Sequence, residues 1–129
     1  MTATFHTTAR IENHVDRRRS FDVEVLVDSG SECTWVPRQS LEKLGIRREK
    51  KNIEFVITNG EHVTRNVGFA IVRVGKYLTT DEVVFAEPGD LLLLGARTLE
   101  GLNLTIDSPN KRLLPAGPLP AATPVRLRR

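Results

Sequence analysis

Residues 25–30 read Val-Leu-Val-Asp-Ser-Gly, and residues 34–37, which follow shortly after, read Thr-Trp-Val-Pro. An aspartate at the end of an apolar strand is unfavourable, because moving a carboxylate out of water costs several kcal/mol of solvation free energy unless it is paired or protonated. Gly30 allows a tight turn and the close approach of another group, and Ser29 supplies a hydroxyl for a hydrogen bond. The stretch therefore predicts a site that holds the Asp28 carboxylate in a controlled, partly dry environment.

The length and charge of the chain narrow the possible functions. The chain has 129 residues, which suits one domain with a core but not two lobes. Its net charge of +3 comes from 19 basic and 16 acidic residues, and much of the excess lies in two short arginine clusters, Arg17–Arg19 and Arg126–Arg129. Nucleic-acid binding would need a basic patch interleaved with aromatic residues, and the chain has only five Phe, one Trp and one Tyr. We therefore expect no nucleic-acid partner.

The sequence gives no sign of a disulfide, a metal or a membrane segment. Cys33 is the single cysteine, and the three histidines have no metal-ligand spacing to it. The first ten residues lack the apolar core of a signal peptide, and no window approaches the roughly 18 apolar residues that span a bilayer. We expect a cytoplasmic protein with no cofactor and no membrane partner, in which Cys33 is a buried structural thiol.

Hydrophobic periodicity predicts mostly strands. Apolar residues alternate from Phe21 to Val27, which indicates a strand with one buried face. Further strands are predicted at Ile53–Ile57, at Val63–Val74, around Val83–Phe85 and in a final hairpin of Leu104–Asp107 with Lys111–Leu114. Asn59-Gly60 predicts the turn of another hairpin, because both residues tolerate a positive φ. The four leucines Leu91–Leu94 predict a strand that is buried on both faces.

Two short helices complete the prediction. The first begins at Pro37 and ends at Gly45, and the second spans Ala96–Leu102. With strands in the majority and turn signals at short intervals, the pattern indicates an all-β barrel or sandwich. We expect one domain over residues 1–114, followed by a flexible tail rich in Pro, Ala and Arg over residues 115–129.

The Asp28-Ser29-Gly30 turn and the order of the later elements resemble the active-site turn and element order of single-domain, retropepsin-like (retroviral-type) aspartic proteases. The resemblance covers residues 20–115: the turn Asp28-Ser29-Gly30, an apolar strand at Trp35-Val36, the hairpin about Asn59-Gly60, and Leu93-Leu94-Gly95 before the second helix. Val36–Gly45 looks more like bacterial members than like a viral enzyme. The resemblance implies an acid-protease barrel with a flap hairpin and one or two short helices.

The resemblance also implies a role for each matching residue. Asp28 would be catalytic, Ser29 and Gly30 would support the active-site turn, and Leu93, Leu94 and Gly95 would form its supporting strand. Thr58, Asn59 and Gly60 would lie at the flap and bind substrate. The sequence departs from the family in two places: Ser29 stands where threonine is more frequent, and the hairpin tip is not rich in glycine.

Acid proteolysis of this kind needs two carboxylates, and the chain offers only one suitable turn. Residues 104–109 read Leu-Thr-Ile-Asp-Ser-Pro, but Pro109 replaces the glycine, so Asp107 is interpreted as a hairpin-turn aspartate. The second carboxylate must then come from a second copy of Asp28. We expect an aspartic endopeptidase that activates water between the two Asp28 carboxylates of a homodimer and acts on a peptide or protein substrate. The alternatives are a dimerisation or peptide-binding module with little turnover, and a processing factor for one partner protein.

Overall fold

The structure is a computed structural model that describes residues 5–124. This part of the chain contains nine strands and two helices. The terminal arginines Arg126, Arg128 and Arg129 and the end of the predicted tail lie outside the described residues. The strands are β1 (His6–Glu12), β2 (Ser20–Val27), β3 (Thr34–Pro37), β4 (Lys50–Val56), β5 (His62–Val74), β6 (Tyr77–Ala86), β7 (Leu93–Leu94), β8 (Leu104–Asp107) and β9 (Arg112–Pro115). The helices are α1 (Arg38–Leu44) and α2 (Ala96–Leu102). The all-β class with two short helices is confirmed.

Seven of the strands form one sheet that closes on itself. Their order is β1-β2-β7-β3-β6-β5-β4, and an additional antiparallel pairing of β1 with β5 closes the barrel. Strands β8 and β9 form a separate hairpin. The main core lies inside the barrel and beneath the two helices, and its largest fully buried side chains include Phe85, Ile11, Leu41 and Leu94.

Strand β1 is the element that the sequence analysis did not predict. It pairs along its full length with β2, from His6↔Leu26 to Glu12↔Ser20. Its burial alternates from Phe5 to Ile11, and Ala9 and Ile11 are fully buried. Small and polar residues occupy the other positions, so the period-two signal was present but weak.

The two helices agree with the sequence prediction. Helix α1 follows Pro37, buries Leu41 and Leu44, and ends at Gly45, whose N–H donates to the last carbonyls of the helix. Helix α2 begins after Gly95 and buries Thr98, Leu99 and Leu102. Neither helix has the length and apolar character that a membrane crossing requires, as far as residues 5–124 go.

The prediction of a doubly buried strand over Leu91–Leu94 is wrong for its first half. Only Leu93 and Leu94 are in a strand, and Leu91 is 66% exposed. The preceding turn, in which the Asp90 N–H donates to the Glu87 carbonyl at 3.0 Å, directs Leu91 outward. An apolar run alone does not show where the chain enters a sheet.

The hairpin between β4 and β5 forms where Asn59-Gly60 predicted it, but with a different turn. Of these two residues only Gly60 has a positive φ, 88°. The Asn59 side chain instead accepts the Glu61 N–H at 2.8 Å, and the Ile57 N–H donates to the Glu61 carbonyl at 2.9 Å. The loop is therefore longer than a two-residue Asn-Gly turn, because the Asn59 side chain replaces a backbone acceptor.

Pro115, the first residue of the predicted tail, pairs with Leu104 in the β8–β9 hairpin. The next two residues are also held, because the Ala116 N–H donates to the Asn103 carbonyl and the Asn103 side chain donates to the Gly117 carbonyl. Residues 118–124 are exposed and have no helix or strand. The flexibility of this segment stays a prediction.

Candidate active site

Asp28 lies where β2 ends, directly after the buried Val27. Its carboxylate oxygen Oδ1 accepts a hydrogen bond from the Gly30 N–H at 2.9 Å, and its carbonyl accepts the Ser31 N–H at 3.2 Å. Gly30 does not have a positive φ, so its use here is as a backbone donor that approaches the carboxylate. In the single chain Asp28 is half-buried, and Ser29 and Gly30 are exposed. The dry environment expected from the sequence is therefore absent around Ser29 and Gly30 and only partial around Asp28.

Strand β7 supports this turn from behind. It lies between β2 and β3, pairing in parallel with Leu26 and Val27 and antiparallel with Trp35. The Asp28 N–H donates to the Leu94 carbonyl at 3.0 Å, which fixes the residue that bears the carboxylate. The predicted contact between the supporting strand and the Asp28 turn is present.

Gly95 is the point at which the supporting strand and the turn come closest. A Cβ built there would lie 2.3 Å from the Cys33 carbonyl oxygen and 2.9 Å from that of Ser31. The next residue, Ala96, donates its N–H to the Ser31 carbonyl at 2.7 Å. A side chain at Gly95 would push these backbones apart, and so the Leu-Leu-Gly sequence requires its glycine.

A chain of three hydrogen bonds, two buried and the last part-buried, links Gly95 to the barrel wall. The Gly95 N–H donates to Thr34 Oγ1 at 3.0 Å, Thr34 Oγ1 lies 2.6 Å from Thr98 Oγ1, and Thr98 donates to Asp81 Oδ2 at 3.1 Å. Both threonines are fully buried. The sequence analysis missed this connection, because nothing local in the sequence relates β3, α2 and β6. It holds the supporting strand in place beside the Asp28 turn.

The β4–β5 hairpin packs on β3, the strand that follows the Asp28 turn. Ile53, Phe55 and Val63 pack with Trp35 in a second, smaller apolar cluster that also includes Cys33. At the tip, Thr58, Asn59 and Gly60 are exposed, and the hydrogen bonds of Asn59 and Gly60 stay within the hairpin. The structure thus brings the Asp28 turn and Leu93–Gly95 into contact, while the predicted substrate-binding residues Thr58, Asn59 and Gly60 lie at the exposed hairpin tip.

The environments of Cys33 and Asp107 do not suit either side chain to a catalytic role. Cys33 is 8% exposed, and burial raises the pKa of its thiol, which disfavours a thiolate nucleophile. Asp107 lies in the β8–β9 hairpin, where its carboxylate accepts hydrogen bonds from Asn110 and Arg112. Residues 5–124 contain no group of three or more His, Cys, Asp or Glu side chains that could hold a metal ion.

Three features occur together: a closed barrel, an Asp-Ser-Gly turn held against a Leu-Leu-Gly strand, and a hairpin beside them. Together they define a retropepsin-like acid-protease fold. A family model described as "gag-polyprotein putative aspartyl protease" matches residues 15–101, and the chain belongs to this family. Family and fold together indicate an aspartic protease, and therefore a hydrolase.

A solved structure supports the fold. The chain is similar to the protease of Simian Foamy Virus (mac), with a TM-score of 0.51 and 21% sequence identity over 74% of this chain and 92% of the viral chain. At this identity the likeness bears on the fold alone. No curated protein sequence matches the chain.

Proposed function

We propose that the chain is an aspartic endopeptidase whose active form is a homodimer with one Asp28 from each copy at the two-fold axis. One observation carries the proposal: the supported Asp-Ser-Gly turn occurs once in the chain and leaves Asp28 only half-buried. The other candidate aspartate, Asp107, has its carboxylate bonded within a separate hairpin. A second copy would supply the missing carboxylate and exclude water from the first.

In such a dimer the two carboxylates divide the chemistry between them. Like charges so close cannot both ionise, and one carboxyl keeps its proton. The ionised Asp28 takes a proton from a bound water, whose oxygen attacks the carbonyl carbon of the scissile peptide. The protonated Asp28 donates a hydrogen bond to the carbonyl oxygen as that oxygen gains negative charge. The tetrahedral adduct then collapses: the carbonyl re-forms, the C–N bond breaks, and the first Asp28 passes the proton it took from water to the leaving nitrogen. The Gly30 N–H orients each carboxylate for this work, through its hydrogen bond to Oδ1.

The β4–β5 hairpin serves as the flap in this proposal. Its tip residues Thr58, Asn59 and Gly60 would contact a peptide lying across the two Asp28 turns, as the resemblance implies. The Ser29 hydroxyl would donate a hydrogen bond within the turn or to the other copy. The likeness of Val36–Gly45 to bacterial members, the cytoplasmic location and the absence of nucleic-acid and membrane partners stay predictions.

Cleavage of a peptide library between about pH 4 and 7, with the solution mass measured on the same sample, tests the proposal. We expect wild type to cleave as a dimer and Asp28→Asn, which keeps the shape of the side chain, to lower cleavage at least about a hundredfold. Asp107→Asn is the matched control and should cleave like wild type. An Asp28→Asn variant as active as wild type would overturn the proposal. Peptide binding without cleavage by wild type would instead support a binding module.

A further inference from the structure

Arg65 and Asp90 form an ion pair that joins the β4–β5 hairpin to the loop before β7. Arg65 Nε lies 2.7 Å from Asp90 Oδ2, and Arg65 Nη2 lies 2.8 Å from Asp90 Oδ1. Each side chain is only 17% exposed. The Glu87 N–H also donates to Asp90 Oδ2 at 2.8 Å, so the loop holds the carboxylate in position. Two parallel hydrogen bonds between charged groups fix both distance and orientation.

The same arginine lies against Trp35, next to the base of the hairpin. Its guanidinium carbon is 6.0 Å from the centre of the Trp35 ring. The Trp35 ring makes an edge contact with Phe55 of β4, at 5.1 Å between ring centres. Both strands of the hairpin therefore contact Trp35 of β3: β4 through the aromatic pair with Phe55, and β5 through the guanidinium of Arg65.

On the barrel side of these contacts the hairpin has a break in its pairing. The register of β4 with β5 shifts between Lys50 and Ile53, and Asn52 has a positive φ of 56°. The Asn52 N–H is bonded to the Asn66 side chain at 3.1 Å instead of to a ladder carbonyl. A bulge of this kind bends a strand and interrupts the ladder, and the angle of the hairpin then depends on contacts beyond it. Arg65 provides such a contact immediately beyond the bulge.

We propose that Arg65 and Asp90 are positioning residues that hold the β4–β5 hairpin at the angle needed to receive a peptide over the Asp28 turn. This inference rests on the proposed protease function. When the pair is broken, the hairpin samples other angles and the competent arrangement becomes a smaller fraction of the population. The apparent affinity for substrate falls by that fraction, while the bound complex reacts as before. The hydrogen bonds of this ion pair also lower the pKa of Asp90 and raise the pKa of Arg65, because each charged side chain stabilises the charge of the other.

The variant Asp90→Asn tests the role of the pair, and Glu87→Gln is its matched control. Glu87 lies in the same loop and forms its ion pair with Arg38 Nε of α1, at 2.9 Å. Toward Arg65 it contributes only a through-space Coulombic attraction and not a hydrogen bond. Two measurements are made on the full chain: hydrogen exchange of the amides in residues 53–65, and kcat and KM for a cleaved peptide. For Asp90→Asn we expect about tenfold faster exchange and an about tenfold higher KM, with kcat within about threefold of wild type. Glu87→Gln should change neither.

Loss of global stability alone would not produce this split between KM and kcat below the unfolding temperature. Arg65→Lys, which keeps the charge but loses the forked geometry, should give an intermediate KM and carries the test if Asp90→Asn does not fold. Equal exchange and equal KM in Asp90→Asn and Glu87→Gln would overturn the positioning role and leave the proposed function intact. If wild type cleaves nothing, the proposed function fails, and the exchange rates alone decide whether the pair positions the hairpin.

Discussion

Asp28, directly after β2, and Glu12, the last residue of β1, have surroundings that suit them to opposite tasks. Asp28 is half-buried and accepts a hydrogen bond from a backbone N–H, so part of it stays accessible to water. Glu12, at the end of β1, is 4% exposed and lies among three arginines. The distances to its oxygens are 2.9 Å from Arg73, 3.3 Å from Arg17 and 3.3 Å from Arg10. Glu12 is therefore a structural carboxylate that helps to hold β1 where the barrel closes.

Replacing Glu12 by glutamine should destabilise the fold. The amide keeps the shape but removes the charge that three guanidinium groups share, and hydrogen bonds to charged groups contribute about 1.5–3 kcal/mol. We expect Glu12→Gln to lower the free energy of unfolding by about this amount in urea denaturation at pH 7. Glu54→Gln is the control, because Glu54 is exposed and its contact with His62 lies at the surface. That change should stay within about 0.5 kcal/mol.

The effect of Glu12→Gln should depend on pH in one direction. The hydrogen bond from Arg73 is the largest cause that lowers the pKa of Glu12 in the folded chain. A carboxyl with a lowered folded pKa stabilises fully above its unfolded pKa, about 4.3, and loses this contribution as the pH falls through the folded pKa. The stability difference between wild type and Glu12→Gln should therefore shrink between about pH 5 and pH 3. A difference that stayed constant over this range would show that the charge of Glu12 is not the stabilising feature.

The residues that can be predicted from the sequence are those with a local signal. Asp28 is found because an apolar strand, a small hydroxyl residue and a glycine surround it within six positions. The pairs Glu12–Arg73 and Arg65–Asp90 join residues 61 and 25 positions apart. Charged residues look alike in the sequence whether they are solvated or paired, so such contacts need the fold.

At the scale of elements, periodicity predicts a strand well when its alternation is strong. It gives β2 and β5 and fails for β1, in which Ala9 and Ile11 are the only fully buried side chains. It overextends β7, where an apolar run includes the exposed Leu91. Periodicity also does not predict the type of turn, since the hydrogen bond of the Asn59 side chain, and not a positive φ at Asn59, shapes the hairpin loop.

The close approach of β7 to the Asp28 turn makes Gly95 the most sensitive position of that element. Its φ of −93° and ψ of 176° are accessible to any residue, so contact and not conformation forbids a side chain. In Gly95→Ala the added methyl meets the backbone of Cys33, which cannot rotate away as a side chain could. We expect a loss of about 3 kcal/mol in thermal or chemical unfolding, and loss of peptide cleavage because the turn is displaced.

Gly75→Asn is the matched control for this prediction. Gly75 lies in the turn between β5 and β6 with a φ of 58°, a conformation that asparagine tolerates, and a Cβ there would contact nothing within 4 Å. Its stability should stay within about 0.5 kcal/mol of wild type. If Gly95→Ala unfolds and cleaves like wild type, β7 does not hold the turn by close approach.

At the scale of the whole molecule, the sequence predicts the class of fold but not how the barrel closes. Closure depends on three residue pairs between β1 and β5, Arg10↔Arg73, Ile11↔Val72 and Glu12↔Ile71, and no pattern within either strand specifies the other. The β8–β9 hairpin was predicted from its turn, yet its separation from the barrel sheet was not. The sequence contains one Asp-Ser-Gly turn, and the fold places its aspartate, Asp28, half-buried at the end of β2.

The most direct test of a site shared between two copies is the activity of mixed dimers. Wild type and Asp28→Asn are refolded together in equal amounts at a fixed total concentration, and the initial rate of peptide cleavage is compared with that of wild type alone. If each site needs Asp28 from both copies, only dimers of two wild-type chains cleave, and we predict about one quarter of the wild-type rate. About one half of the wild-type rate would show that each chain works with its own Asp28, and would contradict the shared site.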